Sequence, residues 1–422
     1  TTEIYTLSLH DALPIWIFVW TLYDFANTSF SIVVVTFLYA VYFKETVAGG
    51  EAIGDFYWSL STSVSMVIVA LVAPTLGAVA DYSSSKKKFL LFFTALCLVA
   101  TGSLYFVGPG EVALGMGIFI VANVGFEAAL VFYDAFLPEI TEPRKFGRVS
   151  GYGFAFGYFG ALASLGLAFP FIQAEMVRET FPVSALFFLV FSAPLFLKLK
   201  ERRVERGSDV NYVAVGARRV LSTIRNLKEY KNLAVFLAAY FFYIEGVNTV
   251  IFFAGIYASG TLGFDMLELI YFFVVVQTTA IVGAAVLGVV ADAIGQRRTI
   301  MFTLVMWLAT VALAFFVEDK TQFYFVGLLA GAAMGSSQST SRALMSLLTP
   351  DEKKTEFFGF YSFFGKSSAI LGPLAFGAIS YATGSQRIAI LSIAFFFVVG
   401  MAILRFVKDP SHKPFANLYR RG

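Results

Sequence analysis

The sequence predicts an all-α integral membrane protein with twelve transmembrane helices in two six-helix bundles, and three observations carry that reading. Hydrophobic residues make up 58% of the chain and charged residues 14%, the mean hydropathy is +0.76, and apolar runs of about twenty residues recur from one end to the other. Basic residues gather in alternate loops. The second half of the chain echoes the first. No stretch is left that could build a sizeable soluble domain, and 49 Phe with 35 Gly suit lipid-facing helices that approach one another closely.

Continuous apolar runs between polar breaks place spans near 16–43, 55–80, 88–107, 112–137, 149–173 and 180–199. Six more follow near 231–258, 267–291, 299–317, 322–348, 357–382 and 386–407. Twelve spans put both ends on one side of the bilayer. Of the 31 Lys and Arg, 25 fall in the even-numbered loops and the C-terminal tail; the other six are Lys44, Arg178, Lys320 and Arg387 in odd loops, and Arg342 and Lys366 within spans. An excess of Lys and Arg marks the cytoplasmic side. The expectation is a multi-pass protein of the cell (inner) membrane with both termini cytoplasmic and no need of a cleaved signal.

Residues 1–15, TTEIYTLSLHDALPI, read as the in-frame translation of a short-read sequencing adapter and are set apart from the fold as an assembly artefact. The native start is then missing, His10 and Asp11 carry no functional meaning, and His412 is the only native histidine. No histidine proton relay or histidine metal site is expected. Cys97 is the single cysteine, so no disulfide forms within one chain.

Residues 201–230 form a basic cytoplasmic linker that separates a bundle at 16–200 from one at 231–407; a tail at 408–422 follows. The linker carries Arg202, Arg203, Arg206, Arg218, Arg219, Arg225 and Lys228, while Val213, Val220, Ile224 and Leu227 share an approximate helical face opposite the arginines. That pattern fits a helix lying on an anionic leaflet. A solvated linker fits it equally.

The halves repeat each other at specific positions. GAVAD at 77–81 closes span 2 and GVVAD at 288–292 closes span 8, each followed by a basic loop. Asp24 and Asn27 in span 1 match Glu245 and Asn248 in span 7, a carboxylate and an amide three residues apart and so on one helical face. In spans 5 and 11, Tyr158 takes the position that Lys366 takes in the second half. Many secondary transporters are built from repeats of this kind, with the site near the midplane at the repeat interface.

Charges inside the spans single out candidate residues. Lys366 sits about nine residues, roughly 14 Å at 1.5 Å per residue, inside the span that opens near residue 357, too deep to snorkel easily. An ionised lysine there costs roughly 2.5–3.5 kcal/mol on insertion scales, so it should face an anionic partner or a ligand. Asp24, Glu127, Asp134 and Glu245 are the acids well within spans, with Arg342 toward the cytoplasmic end of span 10. Desolvation raises a carboxylate pKa and a nearby cation lowers it, which makes an acid without a cationic partner a candidate proton carrier. Glu127 suits a cavity or a helix contact, and Asn27, Asn248 and Gln338 suit substrate binding or the joining of helices.

From residue 16 onward these features resemble the major facilitator superfamily. The loops after spans 2 and 8 are similar to that superfamily's G-x-x-x-D-[RK]-x-G-[RK]-[RK] motif, although Tyr82 follows Asp81 and Ala293 follows Asp292, while Gly295 and Arg297 are kept in the second copy. YDFANTSF in span 1, FYDAFLPEI at the end of span 4, GRVSGYGFAFGYFG in span 5, YFFYIEGVNTVI in span 7, SQSTSRALMSLLTP in span 10 and FFGFYSFFGKSSAILGP in span 11 resemble, more narrowly, the bacterial relatives of the autophagy-related vacuolar amino-acid effluxer. The resemblance implies the twelve-helix fold, a central cavity lined by the first helix of each three-helix repeat, and export of neutral amino acids or similar small solutes. It makes Lys366, Asp24, Glu245, Asn27, Asn248 and Glu127 the substrate-binding or coupling candidates. Asp81, Asp292, Arg297, Arg342 and Asp134 become the gating candidates.

The expected function is secondary transport by alternating access, with proton coupling and facilitated diffusion both open. No G-x-x-x-x-G-K-[ST] signature is present for direct ATP drive, and no catalytic constellation points to an enzyme. A drug or lipid exporter of the same fold and a non-transporting membrane sensor are the other readings. Expected partners are a small-molecule substrate, protons where coupling operates and the lipid bilayer, with no nucleic acid, no cofactor and no metal; a monomer is expected.

Overall fold

The computed structural model describes residues 2–50, 52–201, 212–226, 228–368 and 371–410. Arg202, Arg203, Arg206 and Leu227 of the linker, and His412 with the rest of the tail beyond 410, lie outside the described residues, as does the side chain of Val213. Among the described residues every regular element is helical. The long helices are α1 (Thr2–Phe30), α2 (Ala52–Ser83), α3 (Lys86–Ser103), α4 (Val112–Asp134), α5 (Phe146–Gln173), α6 (Thr180–Lys198), α7 (Tyr212–Arg225), α8 (Lys231–Leu262), α9 (Met266–Ile294), α10 (Gln296–Phe316), α11 (Lys320–Leu348), α12 (Lys354–Ser368), α13 (Leu371–Thr383) and α14 (Gln386–Leu404).

Apart from the first, whose helix begins at Thr2, the predicted spans and these helices agree at their ends to within a few residues. Among the described residues, ten stretches are long and apolar enough to cross a membrane. Two predicted spans fall outside that count, for different reasons. Helix α11 has 29 residues, but its inner half reads SSQSTSR and buries those hydroxyls and Arg342. The span near 357–382 is described as α12 and α13 on either side of residues 369–370. The first span is longer than expected, running Pro14–Val47. Two wider π turns, Ser31–Thr36 and Phe43–Val47, interrupt its regular helix.

Outward faces carry large apolar side chains such as Leu71, Phe92, Val99, Leu197 and Phe316, as a lipid-facing surface requires. Inward, contacts divide the chain into two compact units: Thr1–Phe136 with Phe156–Ser222 and Glu352–Phe363, and Leu137–Ala155 with Thr223–Asp351 and Phe364–Gly422. The start of α5 therefore packs with the second half of the sequence, and most of α12 packs with the first.

In the first unit, α1 lies on α6 through Phe25, whose ring is 5.1 Å from Phe187 and 4.9 Å from Phe191. Trp20 and Tyr133 stack at 4.6 Å and exchange two hydrogen bonds, the Trp20 Nε1–H to the Tyr133 carbonyl at 3.0 Å and the Tyr133 hydroxyl to the Trp20 carbonyl at 2.9 Å. Helix α7 packs on the C-terminal end of α2. A Cβ added at Gly216 would lie 2.6 Å from Val79 Cγ2 and 3.0 Å from the Thr75 carbonyl oxygen. The linker helix thus seats on protein through Gly216, and Ile224 of the anticipated apolar face stays exposed.

In the second unit, α9 and α11 touch backbone to backbone. Gly331 lies against the Val276 carbonyl, Gly335 against that of Ala280, and Gly283 against that of Ala332, leaving no space for a methyl group. Trp307 stacks on Phe397 at 5.5 Å and joins α10 to α14. At the outer end Gly263 ends α8 at φ +68°, and Asp265 with Glu268 forms a reciprocal capping box that starts α9. Lys320 reaches Glu268 at 2.6 Å.

The glycine contacts yield a direct expectation. Gly335→Ala should cost about 1–3 kcal/mol, as overpacking does, and lower the unfolding temperature in detergent by several degrees. Gly117→Ala, where a Cβ meets nothing within 4 Å, should leave it unchanged or slightly raised. Equal unfolding temperatures for the two variants would contradict the close α9–α11 contact.

Candidate functional site

Helix starts and ends organise the polar chemistry. The first four backbone N–H groups of a helix lack a partner within it, and the starts of α5 and α12 are capped by aspartates in the last turns of distant helices. Asp292, in the last turn of α9, accepts the backbone N–H of Gly147 at 2.7 Å, that of Arg148 at 3.1 Å, and the Arg148 Nε–H at 2.8 Å. One turn earlier Gly288 meets Gly147 and Gly151 of α5 at backbone contact. The glycine lets the helices cross closely enough for the aspartate to reach the helix start.

The first copy of the repeat does the same. Asp81, in the last turn of α2, accepts the N–H of Thr355 at 3.0 Å and of Glu356 at 2.9 Å at the start of α12. Gly77 lies against the Thr355 carbonyl, and Gly359 lies 2.6 Å from the Ala73 carbonyl oxygen when a Cβ is added. The register that aligns Tyr158 with Lys366 also aligns Gly147, Arg148 and Gly151 with Thr355, Glu356 and Gly359. Both GxxxD segments thus build one contact twice.

Arg342 of α11 is buried and joins the same region of α5. Its Nε donates to Ser150 Oγ at 2.9 Å, its Nη2 to the Ser150 carbonyl at 3.0 Å, and its guanidinium stands 4.2 Å from the Phe154 ring centre. Ser150 Oγ in turn donates to the Ser339 carbonyl at 2.7 Å. Arg297 points elsewhere. It donates to the carbonyls of Arg405 at 3.2 Å and Val407 at 2.9 Å, and its backbone N–H is held by Asp409 at 2.8 Å. A cation on the carbonyl end of α14 complements the helix dipole. Asp134 closes α4 and is half-buried.

Deeper in the spans, Asp24 and Asn27 share a face, with Asn27 Nδ2 donating to Asp24 Oδ1 at 3.3 Å. Both are buried, and α5 crosses beside them, where Thr28 Oγ1 donates to the Gly157 carbonyl at 2.8 Å. Glu127 of α4 is buried in the same unit. In the second unit Glu245 of α8 is fully buried and accepts from Thr249 Oγ1 at 3.4 Å, while Asn248 is half-buried. Lys366 stands in the last turn of α12, half-buried. Its neighbours on the chain touch α8: Phe364 meets Phe241 edge-on at 6.3 Å, and Gly365 lies against the Tyr240 hydroxyl.

Sequence reasoning did not single out Arg148, Ser150 or Glu356, nor Arg219 as a contact residue. The repeat register pointed to Arg148 and Glu356, since both follow directly on the aligned positions. Nothing in the sequence tied Arg219 to the start of α12.

The chain matches the family described as "Vacuole effluxer Atg22 like" over residues 46–414. It is 31% identical over 404 residues to the uncharacterized MFS-type transporter YxiO of Bacillus subtilis, covering 92% of this chain and 94% of that protein. Autophagy-related protein 22 of Kluyveromyces lactis is 24% identical over 384 residues, covering 81% and 77%. Among solved structures, the human organic anion transporter MFSD10 superposes with a TM-score of 0.70 at 15% identity, over 94% of this chain and 99% of that one. The proton:xylose symporter XylE does so with a TM-score of 0.74 at 12% identity, over 95% and 97%. The chain therefore belongs to the family described as "Vacuole effluxer Atg22 like" and is a membrane transporter of the major facilitator type.

Proposed function

We propose that this transporter exports a small zwitterion of the neutral amino-acid class by alternating access. The observation that carries this reading is the set of ionisable groups inside its spans: Asp24, Glu127 and Glu245 are buried acids and Lys366 is a half-buried cation. A bulky apolar solute needs none of them. A zwitterion needs both signs, a cation for its carboxylate and an acid or amide for its ammonium. Lys366 takes the first role, and Glu245 with Asn248, in the same unit, takes the second. The description of the matched family as a vacuole effluxer supports the outward direction.

Asp81 and Asp292 act as gates in this reading. Each cap joins helices from opposite halves of the sequence, α2 to α12 and α9 to α5, and Arg342 joins α11 to α5. Alternating access must break and remake such contacts. Arg297, whose partners all lie in the second half, braces the end of α14. The acids also offer proton sites, so the transporter is proposed to run on the proton gradient.

Counterflow into proteoliposomes preloaded with neutral amino acids tests the substrate class. Uptake of labelled leucine or tyrosine is expected in wild type, with a loss of at least about tenfold in Lys366→Ala; no exchange of any amino acid by folded protein would sink the proposal. Coupling has its own measurement. An imposed proton gradient should drive accumulation in wild type, and Asp24→Asn should keep counterflow while losing accumulation. Undiminished accumulation in that variant would remove Asp24 as the proton carrier. Asp292→Asn removes a charge-assisted contact of about 1.5–3 kcal/mol, so turnover should change about tenfold while apparent affinity stays within about twofold. A change confined to affinity would argue against gating.

A further inference from the structure

The two gates share a backbone geometry and differ in charge. At the second, Asp292 faces a cation from the helix it caps, with Arg148 Nε 2.8 Å from its carboxylate. At the first, the aligned position is Glu356, whose side chain is fully buried one residue after the capped Thr355. Asp81 and Glu356 place two carboxylates at one helix start. Two carboxylates at one buried helix start call for positive charge; Lys86 at the start of α3 supplies some to Asp81, and α12 carries no cation at the position that matches Arg148.

The linker helix brings one. Arg219 Nε of α7 stands 3.6 Å from Glu356 Oε2, and Arg219 Nη2 donates to the Glu352 carbonyl at 3.2 Å. Its side chain is only 20% exposed. The approach is set by Gly216, three residues earlier on the same face of α7, which seats the helix on Thr75 and Val79 of α2 just before Asp81. We propose that Arg219 is a positioning residue of the first gate: the segment joining the two halves supplies the charge that Arg148 supplies from within α5 at the second gate. The linker is then a working part of the closing mechanism and not only a tether. Removing Arg219 loosens the Asp81–α12 contact while the Asp292–α5 contact stays as it was.

This inference rests on the reading of the aspartate caps as gates, and its test does not depend on any substrate. In a Cys97→Ser background, Thr355→Cys places a reporter thiol at the capped helix start, where Thr355 is fully buried. A membrane-impermeant maleimide is then applied to inside-out vesicles. Arg219→Gln is expected to raise the labelling rate about tenfold, and Arg219→Lys to raise it less. Adding Glu356→Arg to Arg219→Gln should return the rate to near its starting value, because an arginine there can meet Asp81 as Arg148 meets Asp292. General damage to the linker would not be repaired by a change in α12, so the rescue separates positioning from folding. A rate unmoved by Arg219→Gln, or a rise that Glu356→Arg leaves in place, overturns the proposal. Counterflow measured on the unmodified chain addresses the transport reading separately, and its absence would leave the labelling result standing.

Discussion

The structure depends on one constraint, the unpaired N–H groups at the start of a helix. In water those donors are satisfied by solvent; where a helix start packs among other helices, something in the protein must accept from them. Here the acceptors are Asp81 and Asp292, each at the end of a helix far away in sequence. A carboxylate on a helix start combines hydrogen bonding with the favourable end of the helix dipole, and the glycine one turn earlier sets how closely the two backbones pass. Two compact units divide the chain, one around each of these contacts. Each holds a helix start that the sequence assigns to the opposite half.

Burial of charge follows the same logic on a smaller scale. Asp24 has the Asn27 amide, Glu245 has the Thr249 hydroxyl, and Arg342 has Ser150 and the face of Phe154. Each of these hydrogen bonds meets part of the cost of burying a charge. Arg148 with Asp292 and Lys320 with Glu268 add opposite charge.

Much of this was legible in the sequence, because hydropathy acts locally. Span positions follow from runs of apolar residues, and the GxxxD segments announce themselves by repetition. Legibility stopped where the answer lay in tertiary register. Helix α11 carries a hydroxyl-rich half because that half is buried against other helices, so its composition understates it as a span. Arg297 sits inside a motif that resembles a gate, yet its guanidinium caps α14, since a long flexible cation takes the nearest free carbonyls. The linker's alternation of arginines and apolar residues suited a membrane surface, whereas Gly216, unremarked in that pattern, decides where α7 lies. Arg219 could be placed only once that helix had a seat.

The exchange of helix starts also bears on how the chain is made. When the first six spans have left the ribosome, the start of α5 lacks the carboxylate that accepts from Gly147 and Arg148 in the finished chain, because Asp292 has not yet been synthesised. The start of α12 emerges into the opposite situation, with Asp81 already waiting. Assembly is therefore ordered in time: the first half is held incomplete until the second supplies its aspartate, and the second is completed against a partner made long before it. A half-length chain would carry an unfinished helix start, and quality control in the membrane would have a concrete feature by which to recognise it.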